Sequence, residues 1–175
     1  MIKGYSRIDF PENGVSMYLE MLSRNFRPDH YTFPFLLKGF TRDIALERGK
    51  ELHCHVVKYG FDSNVFVQNS LVHMYSLCGW IDMARGVFDL SQTSDVVTWN
   101  VMMSGYNRIK KFIESIKLFD EMERKGLLPT SVTLVLVLSA CSKLKDLDYG
   151  KRVHINLFTS TTKEWNCKSR PASLI

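Results

Sequence analysis

Several signatures of catalysis, membrane insertion and disulfide stapling are missing from this chain of 175 residues. Its four cysteines, Cys54, Cys78, Cys141 and Cys167, are scattered and form no C-x-x-C pair. That spacing argues against a disulfide framework and predicts reduced, mostly buried thiols of an intracellular protein. No apolar run approaches the ~18 residues that would span a bilayer, so no membrane partner is expected. The most apolar stretch, 132–140, is broken by Thr133 and Ser139. No signal-peptide pattern opens the chain. The H-x-E and distant C-x-x-C of zinc deaminases are lacking, as are the P-loop, G-x-S-x-G and H-E-x-x-H. The expectation is a protein that is no enzyme, with no cofactor, no metal and no small-molecule substrate. His53, Cys54 and His55 invite a zinc reading, but helical neighbours at i and i+2 point to different faces and cannot close a tetrahedral site.

What the chain does have is apolar content and repetition. Hydrophobic residues make up 45%, ample for a folded body, and the formal net charge of +5 suits a polyanionic partner without proving one. Shifted by 101 residues, the chain falls on itself without a gap. MIKGYSRI (1–8) meets MMSGYNRI (102–109), Glu20-Met21 meets Glu121-Met122, and Pro28 meets Pro129. Thr32 meets Thr133, Gly49-Lys50 meets Gly150-Lys151, and His53 meets His154. A shift of 31 places Val65, Asn69, Tyr75, Phe88 and Asp89 on Val96, Asn100, Tyr106, Phe119 and Asp120. The larger period is therefore built of smaller units, 30–64, 65–95 and 96–130, with an incomplete unit before them (1–29) and a degenerate one after (131–165). Residues 166–175 are expected to be a disordered tail.

Each unit carries helical periodicity twice. In 96–130 the first apolar stripe reads as Val97, Val101, Met102 and Tyr106, with Asp95 as N-cap. A polar break over 107–111 follows, and then a second stripe of Ile113, Ile116, Leu118, Phe119 and Met122. Gly126 supplies a helix stop and Pro129 prevents continuation. The unit 65–95 drops residues after Phe88-Asp89, which shortens its second helix or the loop behind it. Such a helix pair cannot bury both apolar faces alone. Stacked neighbours bury them, giving an all-α, α–α superhelix with a long binding groove.

These segments resemble the pentatricopeptide repeat family. VVTWNVMMSGYNR…SIKLFDEMERKGLLPT (96–130) is similar to its standard unit. HYTFPFLLKGFTR…LERGKELHCHVVKYGFDSN (30–64) is similar to its long variant, and VFVQNSLVHMYSLCGWIDMARGVFD (65–89) to its short one. The order standard, long, short, standard, long resembles the plant subclass that alternates these variants. Residue 1 corresponds to the seventh position of a standard unit, and the pattern fades after His154, so the chain looks truncated. The resemblance implies a right-handed solenoid, single-stranded RNA as partner, and a role in RNA processing or editing in mitochondrion or chloroplast. Editing or processing factors would then be supplied in trans.

Site residues follow from the resemblance, because the family reads about one base per repeat with two or three side chains. The fifth and last positions of the unit read the base. Here they are Asn69 with Asp95, which implies uracil, and Asn100 with Thr130, which implies a pyrimidine. Asp29 would serve the first unit. In the long units the fifth position is Pro34 or Val135, which cannot hydrogen-bond through a side chain, so weak or no readout is expected there. For Asn69 and Asn100 the alternative is a first-turn residue serving only local structure. The second unit position, Tyr31, Phe66, Val97 and Val132, implies packing on base faces; the alternative is core packing at helical spacing. Arg7, Arg42, Arg108 and Lys143 share the thirteenth position, interrupted by Leu77. They form either a row along a phosphate backbone or a set of helix C-terminal cations. A scaffold that binds proteins through the same groove, or a nonfunctional fragment, is the competing function.

Overall fold

The structure is a computed structural model, described here for residues 11–40, 46–91 and 95–155. Its helices are α1 (Pro11–Ser23), α2 (Thr32–Leu37), α3 (Leu46–Lys58), α4 (Val65–Leu77), α5 (Ile81–Leu90), α6 (Val96–Arg108), α7 (Phe112–Arg124) and α8 (Ser131–Leu144), followed by a helical segment over 147–155. Among the described residues no helix is long and apolar enough to cross a membrane.

Short polar side chains start α4, α6 and α8, and left-handed residues end α6, α7 and α8. Asn64 accepts from the Phe66 and Val67 amides at the head of α4. Asp95 accepts from the Thr98 amide at 2.9 Å, and Thr130 forms a reciprocal capping box with Thr133. Each such cap contributes about 1 kcal/mol. At the other end, α7 closes on Gly126, φ 73°, with the Leu127 amide reaching back to the Met122 carbonyl. The same wrap ends α6 and α8 on Lys110 and Lys145, φ 62° and 58°, where a side chain bears a strain that glycine would avoid.

The helices make two layers. Backbones of α2, α4, α6 and α8 lie side by side, and each second helix, α3, α5 or α7, packs on its own first helix. Helices α3, α5 and α7 also pack on the first helix that follows them. A continuous core runs from Tyr18 to Val153. At one joint Phe88 of α5 meets Trp99 of α6 edge to face, centroids 4.9 Å apart. Burying a side chain such as Leu71, Met102 or Phe119 contributes about 1.5–3 kcal/mol. Helix α5 spans 10 residues against 13 in α7, so the deletion in 65–95 does shorten its second helix.

Two details of the sequence expectation need correction. The buried face of α6 is Thr98, Trp99, Met102, Met103, Gly105 and Tyr106, while Val97 is 56% exposed. In α7 the core residues are Ser115, Ile116, Leu118, Phe119 and Met122, and Ile113 is turned outward. First helices touch neighbours on several sides, so the buried arc is wide and shifted from the stripe that spacing suggested.

Candidate nucleic-acid interface

The polar groups with the clearest shared geometry sit at the heads of the first helices. Asn69 lies in α4, one turn in. Its Nδ2 donates to Asp95 Oδ1 at 3.5 Å, and its Oδ1 accepts from the Thr98 hydroxyl. Asn100 occupies the same place in α6. Its Nδ2 donates to Thr130 Oγ1 at 3.2 Å, and its Oδ1 accepts from the Thr133 hydroxyl at 2.7 Å. Both asparagines are partly exposed, so each carboxamide keeps one N–H and one acceptor lone pair for a ligand after these bonds. Asp95 and Thr130 therefore have two roles: each caps a helix and touches the asparagine of the preceding hairpin.

Asp29 caps without such a partner among the described residues. Its carboxylate accepts from the Thr32 amide at 2.8 Å, the Thr32 hydroxyl at 2.7 Å and the Tyr31 amide at 3.1 Å. The Thr32 side-chain hydrogen bond is the main reason its pKa lies below the ordinary carboxylate value.

Tyr31, Phe66, Val97 and Val132 are 60%, 69%, 56% and 56% exposed. Core packing is therefore not what holds them, and they form an apolar row on the open face of the first-helix layer. Val135 is exposed as well, and Pro34 is half-buried. Arg108 and Lys143 stand exposed in the last turns of α6 and α8 and form no ion pair among the described residues. Arg7 and Arg42 lie outside the described residues.

The sequence reading passed over Thr98, Thr133 and His73. Thr133 was legible as a repeat of Thr32 in the longer period, but nothing in spacing tied Thr98 or Thr133 to the asparagines. His73 of α4 has a solvent-exposed edge. Desolvation against its packed neighbours, and then the positive charges of Arg108 and Lys38, lower its pKa below the ordinary histidine value. Cationic groups thus gather at one edge of the first-helix layer. His53 and His55 serve different neighbours: His53 Nδ1 pairs with the Tyr75 hydroxyl at 2.9 Å, and His55 Nδ1 with the Tyr18 hydroxyl at 2.9 Å. No group of metal-ligating side chains gathers among the described residues.

A model of the PPR repeat family matches residues 94–143, and a PPR repeat model matches 1–26 and 69–96. A pentatricopeptide repeat-containing protein of Arabidopsis thaliana is 62% identical over 155 residues, covering 88% of this chain and 23% of that protein. A chloroplastic pentatricopeptide repeat-containing protein of the same plant is 44% identical over 154 residues, covering 88% and 26%. The chain thus spans about a quarter of the length of these relatives. The crystal structure of pentatricopeptide repeat protein PPR10 in complex with an 18-nt psaJ RNA element superposes with a TM-score of 0.74 at 20% identity, covering 91% of this chain and 24% of that one. At that identity the likeness establishes the helical-repeat fold alone.

Proposed function

This chain belongs to the pentatricopeptide repeat family, and on that premise we propose that it binds single-stranded RNA along the open face of the α4, α6 and α8 layer. Asn69 with Asp95 reads uracil, and Asn100 with Thr130 reads a pyrimidine. The observation that carries this reading is the repetition of one polar arrangement in consecutive hairpins, beside a row of exposed apolar side chains. Donor and acceptor atoms at a base edge are what such a carboxamide can pair with. Phe66 and Tyr31 supply faces for stacking, worth about 1–3 kcal/mol per base. Val97 and Val132 supply apolar contact. Arg108 and Lys143 lie where a phosphate backbone would pass. Asp29 would serve the unit that precedes α2, and the hairpins carrying Pro34 and Val135 contribute spacing without a base contact.

In this reading the units are 1–29, 30–64, 65–95, 96–130 and 131–165, in the alternating order of the plant subclass, and the chain acts by recruitment without its own chemistry. The name of the chloroplastic relative favours an organelle and the PPR10 complex favours an RNA partner; the role assigned there is RNA processing or editing, with the reacting enzyme supplied in trans.

Fluorescence anisotropy with short strands tests the proposal. Strands containing U should bind more tightly than purine-only strands of equal length. Asn69→Ala should remove preference at one base. Arg108→Ala should weaken all strands alike and reduce the salt slope by about one. Equal and very weak binding of all strands would sink the base-reading claim. Retention of protein partners after nuclease treatment, with no RNA bound, would favour a peptide-binding scaffold instead.

A further inference from the structure

The geometry points to Thr98 and Thr133 as positioning residues: buried hydroxyls, each supplied by the following hairpin, that bond the carboxamides of Asn69 and Asn100 and leave Asn69 a single orientation. This deepens the RNA reading above and rests on it. Thr98 is 1% exposed and Thr133 fully buried, so neither touches a ligand, yet each hydroxyl meets the asparagine Oδ1 of the hairpin before it. A reading site is therefore assembled from two hairpins, and one hairpin alone would leave the carboxamide free to turn.

Proton accounting separates the two sites. Asp95 can only accept, so the Asn69 nitrogen must face it and the Asn69 oxygen must face Thr98. The Thr98 proton has a competing acceptor in Asp95 Oδ1 at 2.8 Å, but using it would leave the Asn69 oxygen facing a lone pair. One orientation of Asn69 therefore survives. Around Asn100 the bonds close a ring. Asn100 Nδ2 donates to Thr130 Oγ1 at 3.2 Å, the Thr130 hydroxyl donates to Thr133 Oγ1 at 3.0 Å, and the Thr133 hydroxyl donates to Asn100 Oδ1 at 2.7 Å. Reversing every donor and turning the carboxamide over gives an equally saturated ring. Asn100 thus has two orientations available where Asn69 has one.

That difference predicts a difference in specificity. Uracil offers an acceptor at O4 beside a donor at N3, whereas cytosine offers a donor at N4 beside an acceptor at N3. A carboxamide held one way distinguishes these edges, and one that can turn over accepts both.

The long unit supplies an internal control. It has Pro34 in place of the asparagine, and the residue matching Thr98 on its following helix is Val67, fully buried. Asn64 caps that helix through the Phe66 and Val67 amides without any hydroxyl there. Capping therefore does not require the threonine, although at Thr32 the hydroxyl bonds the capping Asp29 carboxylate with no asparagine beside it among the described residues.

Thr98→Val and Thr98→Ser in the full chain test the assignment. NMR of the Asn69 side-chain amide reads its hold directly. Thr98→Val should speed exchange of those protons by roughly five- to tenfold, the scale of losing one hydrogen bond, and Thr98→Ser should restore the slow rate. With ten-nucleotide strands differing in U or C at one position, Thr98→Val should erase U-over-C preference at that base, with affinity for the remainder unchanged and Thr98→Ser rescuing. Unchanged Asn69 exchange in Thr98→Val, or failure of Thr98→Ser to rescue it, would overturn the proposal. Exchange that responds as expected, in a protein showing no base preference at all, would uphold the hydroxyl's grip on Asn69 and reject RNA reading.

Discussion

The two helical layers are held together by different physics. First helices α2, α4, α6 and α8 lie in backbone contact with one another, whereas among the described residues the second helices α3, α5 and α7 do not reach one another at the backbone. Side chains bridge those outer gaps instead. The Tyr18 hydroxyl meets His55 between α1 and α3, and Lys50 lies 4.7 Å from the centre of the Trp80 ring at the head of α5. Arg85 approaches Glu121 at 3.5 Å between α5 and α7, and Tyr149 and Arg152 both reach Asp120. Close packing sets distance rigidly, while long polar bridges tolerate a change in spacing. The lesson is that the inner layer fixes the pitch at which Asn69 and Asn100 repeat, and the outer layer can follow.

A pair of glycines offers the sharpest way to break that contrast. A Cβ at Gly105 of α6 would lie 2.6 Å from Ser76 Oγ and 2.9 Å from both Ser76 Cβ and Ile81 Cδ1. A Cβ at Gly86 of α5 would meet nothing within 4 Å. Gly105→Ala should therefore destabilise the chain by about 1–3 kcal/mol, as overpacking does. Gly86→Ala should stabilise it by about 0.5–1 kcal/mol through helix propensity. Urea denaturation measures both. A neutral or stabilising Gly105→Ala would mean that the inner layer is not close-packed.

The joint between layers at α3 and α4 should respond to pH. Burial holds the His53 imidazole, bonded to Tyr75, below the ordinary histidine pKa of 6.5, and the Asp62 charge offsets that only in part. The unfolded chain then takes up this proton more readily than the folded one. Its stability contribution is complete above pH 6.5 and is lost as pH falls through the lower folded-state value. Denaturation midpoints should decline on acidification, and His53→Gln should flatten the decline. An unaltered profile in His53→Gln would remove His53 as its source.

RNA binding should act on His73 in the opposite sense. If phosphates pass Arg108 and Lys38, they offset the positive charges that contribute to its lowered pKa, and the bound chain takes up a proton more readily than the free one. Affinity should then rise as pH falls through the histidine range, and His73→Gln should weaken that trend. Affinity independent of pH would place the phosphates elsewhere.

How much of this was legible in sequence depends on whether the signal is local. Caps and stops were legible because a short polar side chain or a glycine acts within its own turn, as at Asp95 and Gly126. The family and its helical-repeat fold were legible in the repeats. The facing of α6 was not, because Trp99 and Val97 are both apolar and only the stacked neighbours decide which is buried. Thr98 and Thr133 look like surface polar residues, yet each hydroxyl finds its partner in the preceding hairpin, 29 and 33 residues away. The tyrosine partners of His53 and His55, 22 and 37 residues away, were invisible.

The smallest effect should come from cutting an outer bridge. Arg85 joins Asp89 on its own helix at 2.8 Å and Glu121 on α7 at 3.5 Å, and all three side chains retain about a third or more of their exposure. Ion pairs in that setting contribute about 0.2–1 kcal/mol, and salt screens the longer one. Arg85→Ala should lower stability within that range, with the loss shrinking toward 1 M salt. Glu121→Ala should couple to it by the worth of that ion pair and no more, since the two side chains are in contact. A loss above about 2 kcal/mol, insensitive to salt, would mean that α5 and α7 depend on each other as tightly as α4 and α6 do. The pitch of the reading sites would then be set by both layers together.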